Sequence, residues 1–252
     1  MPALARDFQV VAVDQRGIGL SDKPQEGYDA GTQAADMVAV MRALGHEQFA
    51  MVGFDTGMPI GYALAADHPD RLERLVVGEA VIPGITPSPP LIASGPANEA
   101  FWHLTFNRLT KPNEQLVSGR EDLFFGFQFD ENGRRLPSDA IEYYIDAIAS
   151  SPDSLRGSFG TYRAFDETIA QNEQRKTRKL SLPVLAVGGE KGVGVAVGVT
   201  MKLVGYDVDS VIIPGSGHWV AEEVPDLLLA ALAEFLAPYR EVAAHGPATA
   251  AV

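Results

Sequence analysis

The turn Gly53-Phe54-Asp55-Thr56-Gly57 lies where an apolar run, Phe49 to Phe54, meets a segment with helical spacing of apolar residues, Met58 to Ala66. A Gly-x-nucleophile-x-Gly turn between strand and helix holds its central residue on a strained bend, and the flanking glycines let the chain pass closely. Here the central residue is Asp55. A carboxylate is already ionised near neutral pH and needs no partner base to become a nucleophile. It attacks an sp3 carbon bearing a leaving group and leaves an ester, which an activated water must then cleave. An Asp in such a turn can instead cap the following helix. On the pentapeptide alone the two roles are evenly balanced, and the strand-helix setting favours the nucleophile.

Cleaving that ester requires a base that titrates near neutrality, which is the property of histidine. Of the five histidines, His218 lies in Pro214-Gly215-Ser216-Gly217-His218-Trp219, a loop directly after the last expected strand. His46 follows a helix-ending glycine, His68 precedes Pro69, and His245 lies near the carboxyl terminus; each has an ordinary structural or solvated role. An imidazole base needs an acid to fix its tautomer. Glu79 follows the buried run Leu72 to Gly78, where an unpaired carboxylate would be costly. The rival acid is Glu190 in Gly188-Gly189-Glu190-Lys191-Gly192, whose neighbours suggest a solvated loop. Glu79 is preferred.

The elements that must carry these residues alternate. Phe8 to Val13 has the β-branched, apolar character of a strand. Ala34, Met37, Val38, Met41 and Leu44 have helical spacing and Gly45 stops them. The first eighty residues therefore predict a β-α-β-α-β pattern and a parallel α/β sheet, with ligands bound beyond its carboxyl edge. From Pro83 to Ser181 the sequence becomes Pro- and Gly-punctuated and rich in Phe and Tyr, with helices expected near 97–108, 113–127, 138–149 and 152–173. Strands return at Pro183 to Val187 and Ser210 to Ile213, and a last helix is expected over Pro225 to Leu236. The expected organisation is a core of 1–82 and 182–240, a helical cap of 83–181 and a flexible tail of 241–252.

The 252 residues, 46% of them hydrophobic, suffice for one substantial core. A net charge of −13, from 20 Lys and Arg against 33 Asp and Glu, disfavours nucleic acid as a partner. The absence of Cys excludes thiolate nucleophiles and disulfides but leaves the compartment open. Neither a membrane span nor an export signal is visible, which leaves the cytoplasm as the default. No cofactor is expected. A homo-oligomer is compatible with the sequence.

Three segments resemble the epoxide hydrolase and haloalkane dehalogenase branch of the α/β-hydrolase superfamily: Val13-Asp14-Gln15-Arg16-Gly17-Ile18-Gly19-Leu20-Ser21, the Asp55 turn and the Gly-x-Gly-His218-Trp219 loop. The resemblance extends from about Leu4 to Tyr239. Phe101-Trp102-His103 and Ser158-Phe159-Gly160-Thr161-Tyr162-Arg163-Ala164 are most similar to the Cif-type epoxide hydrolases. That resemblance implies Glu79 as the acid, and His103 and Tyr162 as hydrogen-bond donors to the epoxide oxygen. It implies the Thr56 amide as one oxyanion donor. Haloalkane dehalogenases commonly place a Trp after the nucleophile, where this chain has Thr56. The family's first strands and its His-Gly-x-Pro oxyanion loop would precede Met1, so the expected fold is an α/β-hydrolase with an incomplete amino-terminal part.

The expected activity is opening of a small apolar epoxide to a vicinal diol through an ester on Asp55, with water as second substrate. The alternatives are dehalogenation of a halogenated alkane or acid by the same nucleophile, and a non-catalytic binding protein without a competent oxyanion site. Phe101, Phe106, Phe124 and Phe125 suggest an apolar pocket in the cap, although aromatics at helical spacing also fill cores.

Overall fold

The structure is a computed structural model that describes residues 2–244 apart from 89, 91, 93 and 132–135. Of the expected tail 241–252, residues 241–244 instead continue the last helix, and the rest lies outside the described residues. Four parallel strands, β1 (Phe49–Phe54), β2 (Leu72–Gly78), β3 (Val184–Gly189) and β4 (Val208–Ile213), lie side by side in that order. Helix α1 (Ala30–Ala43) precedes β1 and α2 (Gly57–Asp67) joins β1 to β2. Seven helices follow before β3: α3 (Gly95–Phe106), α4 (Pro112–Val117), α5 (Glu121–Glu131), α6 (Ser138–Ala149), α7 (Pro152–Ser158), α8 (Gly160–Arg163) and α9 (Phe165–Arg175). Helix α10 (Val195–Val204) joins β3 to β4, and α11 (Val220–Glu223) and α12 (Pro225–Ala244) end the described chain.

Both faces of the sheet are covered, which is why β3 reads as an unbroken apolar run and is buried at every position. On one face α1, α2 and α10 pack Ala34, Met58, Leu64, Val197 and Met201 against Leu75, Val77 and Ala186. Nine of the eleven residues of α2 are buried, so its small and apolar residues run all round the helix rather than along one stripe. The opposite face is covered by α12, whose Leu228, Leu232 and Leu236 recur at helical spacing against Val76, Leu185 and Val187. Full burial of each such side chain contributes roughly 1.5–3 kcal/mol.

The run Phe8 to Val13 departs from expectation. Residues 9–15 form no strand, and β1 is an edge of the described sheet, with Val52 41% exposed. An apolar, β-branched segment becomes a strand only where a neighbour supplies its ladder, and no described strand does so here. Phe8 instead packs beside the α12 face. Two expected helices are also subdivided. The stretch 113–127 breaks between α4 and α5 at Gly119, whose φ of +76 ends a helix. The stretch 152–173 becomes α7, α8 and α9.

The helical insertion is tied to the sheet layer by side chains. Asp29 caps α1 by accepting from Thr32 N at 2.9 Å, and its carboxylate also accepts from Gln171 of α9 at 2.6 Å. The Thr168 hydroxyl accepts from Ala30 N, and Asn172 donates to the Pro83 carbonyl. Within the insertion, Phe125, Phe129, Leu155 and Phe159 form a separate core, against which Phe106 and Phe124 pack. Of the four phenylalanines expected to line a pocket, Phe125 is therefore core, Phe106 and Phe124 lie against that core, and Phe101 is 40% exposed.

Candidate active site

Asp55 follows β1 directly and has φ +50, one of two positive values at a non-glycine residue among the described residues. The other is Glu79, φ +52, directly after β2. Such backbone costs of order 1–3 kcal/mol each and persists where surrounding bonds enforce it. For Asp55 these are its N–H to the Gly78 carbonyl at 3.0 Å and its carbonyl accepting from Met58 N at 2.9 Å. Gly53 is required by closeness: a Cβ there would lie 2.4 Å from the Gly57 carbonyl oxygen. At Gly57 a Cβ would meet nothing within 4 Å, so packing within the protein does not demand the second glycine of the turn.

The capping position of α2 belongs to Thr56, not Asp55. The Asp55 carboxylate instead lies 3.2 Å from His218 Nε2. Burial opposes its charge, but the hydrogen bond from His218, the electrostatic influence of His218 and then of His103, and the Thr56 N–H together hold its pKa below the usual carboxylate value. The Thr56 amide is thus beside the Asp55 carboxylate, while the Thr56 hydroxyl donates to Gln15 Oε1 at 3.2 Å. That last contact links the Asp14-Gln15-Arg16-Gly17 loop to the nucleophile turn.

On the other ring nitrogen, His218 Nδ1 lies 3.6 Å from Glu79 Oε2. Glu79 is 1% exposed. Its Oε1 accepts from Gly189 N at 2.6 Å and its Oε2 from Val193 N at 3.0 Å. The glycine-rich segment after β3 is therefore a cradle for Glu79, and a Cβ on Gly192 would lie 2.1 Å from Glu79 Oε2. Glu190 turns away to accept from Gly215 N at 2.8 Å, in the loop that carries His218. Desolvation works against a charged His218, yet the contacts with Asp55 and Glu79 outweigh it and raise its pKa to about 10. The ring thus lies between the carboxyl groups of Asp55 and Glu79, whose contacts favour its protonated form.

From the insertion come His103, on α3, and Tyr162, on α8, with ring centroids 6.2 Å apart and planes nearly perpendicular. Both are within electrostatic reach of Asp55. Burial lowers the His103 pKa despite the Asp55 charge, so the ring is neutral at pH 7. Burial and Asp55 together push the Tyr162 pKa well up, so its phenol keeps its proton. Asp55, Glu79, His218, His103 and Tyr162 are thus gathered at the carboxyl edge of the sheet and under the insertion, Thr56 adjoins them, and Glu190 stands apart.

Three contacts in the site have no motif of their own in the sequence. The Gly188–Val193 cradle has a signal in hindsight, since four glycines from 188 to 194 pack a loop tightly. Gln15 has its signal in the loop after the expected first strand. Glu223, which binds the backbone on both sides of His218, resembles any acid near a helix start. Among the described residues no group of three or more His, Asp or Glu could hold a metal ion. No described helix is long and apolar enough to cross a membrane.

The alpha/beta hydrolase fold family model matches residues 1–225. The chain is 29% identical over 247 residues to the soluble epoxide hydrolase of Corynebacterium sp. (strain C12), covering 95% of this chain and 85% of that protein. It is 28% identical over 258 residues to a fluoroacetate dehalogenase of Burkholderia sp., covering 95% and 82%. The crystal structure of wild-type Cfl2 from Burkholderia cenocepacia superposes with a TM-score of 0.89 at 30% identity, over 93% of this chain and 81% of that one. The chain belongs to the α/β-hydrolase family and is a hydrolase of the branch that holds these relatives.

Proposed function

We propose that the protein opens an epoxide to a vicinal diol in two steps. Asp55 Oδ2 or Oδ1 attacks an epoxide carbon, the C–O bond breaks, and an ester forms while the former ring oxygen takes a proton. A water, deprotonated by His218 Nε2, then attacks the ester carbonyl carbon. The Thr56 N–H steadies the developing oxyanion, and collapse of the adduct releases the diol and restores the Asp55 carboxylate.

The observation that carries this reading is the pair His103 and Tyr162 held 6.2 Å apart beside Asp55. A neutral imidazole and a protonated phenol are donors suited to a developing alkoxide. Protons also balance. Ring opening consumes one proton overall, which solvent water supplies through these donors. Once Asp55 is an ester its negative charge is gone, and with it part of what raised the His218 pKa. His218 can then release its proton to solvent, which balances the proton taken up at ring opening, and as a neutral base it takes a proton from the attacking water. The substrate class that fits is a small epoxide, with water as the second substrate.

The test replaces His218 by Gln and incubates the variant with a panel of small epoxides. Mass spectrometry of the peptide containing Asp55 should show an adduct equal to the whole mass of the epoxide, because ring opening loses no atoms. A halide substrate would add only its alkyl part. If no epoxide yields either an adduct in the variant or diol with the wild type, the proposal fails.

A further inference from the structure

His218 has to hold its place through two states that pull on it differently. Before reaction the Asp55 carboxylate, 3.2 Å away, attracts the imidazolium. After ester formation that attraction is absent, and the ring must stay within reach of Asp55 to direct water. The loop that carries it is permissive: Gly215 has φ +76, and Gly217 immediately precedes His218. Something other than Asp55 must restrain the backbone at His218 in the second state.

Glu223 is placed to do so. It is the last residue of α11, one turn after His218. Its Oε2 accepts from Gly217 N at 2.7 Å and its Oε1 from Trp219 N at 3.1 Å. A single carboxylate therefore binds the amides on both sides of His218, and charge-assisted bonds of this kind are stronger than neutral ones. Other contacts hold the same loop. Glu190 accepts from Gly215 N, and the Ser216 carbonyl accepts from Lys191 N at 2.8 Å. Trp219 packs on Phe129 of the insertion with ring centroids 5.2 Å apart, and Tyr144 OH donates to Glu222 at 3.0 Å. Among these Glu223 is the side chain that accepts from the N–H groups of both neighbours of His218, while Ser216 Oγ donates to the Gly217 carbonyl at 3.0 Å.

We infer that Glu223 is a positioning residue for His218, and that its clamp on Gly217 N and Trp219 N matters chiefly in the second half-reaction, when Asp55 no longer holds the imidazole. The inference rests on the two-step reading above. Ester formation by Asp55 needs no base and should be indifferent to the clamp.

The experiment measures the two steps separately on the full chain, by rapid-quench mass spectrometry of the Asp55 ester and by steady-state diol release. For Glu223→Ala the ester should form within about twofold of the wild-type rate while its hydrolysis slows about tenfold or more, so that ester accumulates during turnover. Glu223→Gln keeps one acceptor oxygen and should fall between Ala and wild type; it also serves if the Ala variant does not fold. A carboxylate that merely stabilised the fold would, on removal, lower the active fraction and reduce both steps by one factor. Equal loss in both steps, or no loss in either, overturns the inference. His218→Gln run in parallel separates the two levels. If it accumulates ester and the Glu223 variants do not, the clamp alone is refuted; if it also accumulates none, the two-step reading falls and the inference with it.

Discussion

Glu79 touches His218 through the same carboxylate that closes the glycine loop after β3: Oε2 lies 3.6 Å from His218 Nδ1 and also accepts from Val193 N, while Oε1 accepts from Gly189 N. The acid is thus immobilised by backbone donors before it meets the histidine, and its orientation does not depend on the ring it orients. Two backbone N–H donors bind its two oxygens and the imidazole nitrogen lies 3.6 Å from one of them, so the position calls for two acceptors and has no place for a donor.

Glu79→Gln should therefore do two things. An amide NH2 would face at least one of these N–H groups, costing ~1–3 kcal/mol of stability for the donor left unpaired. It would also remove the charge that favours the imidazolium formed as water is deprotonated, slowing ester hydrolysis on the order of 10⁴-fold, as loss of a triad acid does elsewhere. Formation of the ester should be nearly unaffected. Stopped-flow and rapid-quench assays check this, and an equal slowing of both steps would argue against Glu79 as the orienting acid.

How far the sequence revealed this arrangement differs by residue, and the reasons are physical. Asp55, Glu79 and His218 were legible because each directly follows a strand or its turn, and in a parallel sheet those ends share one edge. The left-handed backbone at Asp55 has its signal in the Gly-x-Asp-x-Gly turn, whereas that at Glu79 has no counterpart motif in the sequence. Glu190 reads as a solvated loop residue beside Lys191 and glycines, and it is exposed, with its carboxylate accepting from Gly215 N. The same glycines serve Glu79, across 110 residues of sequence. The segment Phe8 to Val13 has strand composition, but a strand depends on its neighbour, which local pattern does not contain. His103 and Tyr162 could be singled out only by resemblance, because an aromatic on a helix has the same spacing whether it packs or reacts.

The two glycines of the nucleophile turn should respond differently to substitution. Gly53→Ala drives a Cβ to 2.4 Å from the Gly57 carbonyl oxygen, which forces the turn to open. It should destabilise the protein by roughly 1–3 kcal/mol, as overpacking does, and displace Asp55. Gly57→Ala meets nothing within 4 Å and removes a flexible residue from the first turn of α2, so its stability should be unchanged or raised by up to ~1 kcal/mol. Urea unfolding of the two variants decides between this and a symmetric requirement: equal losses at both positions would show that the turn needs both glycines for packing.

The His218–Asp55 pair should also make stability depend on pH in a defined direction. The folded protein holds the His218 proton to about pH 10, whereas a free imidazole releases it near pH ~6.5. A raised folded pKa gives stability that is complete below the unfolded value and declines as pH rises towards the folded one, by up to ~1.4 kcal/mol per pH unit. Asp55, held below its usual pKa, acts at the other end: its contribution is present above the unfolded carboxylate value of ~3.9 and is lost as pH falls. Asp55→Asn removes the negative charge much as ester formation does and should lower the His218 pKa. The stability gap between wild type and Asp55→Asn, followed by thermal unfolding from pH 6 to 10, should therefore narrow as pH rises. A gap that stays constant across that range would mean that Asp55 does not hold the proton on His218. The proposed change from imidazolium to base on ester formation would then lose its cause.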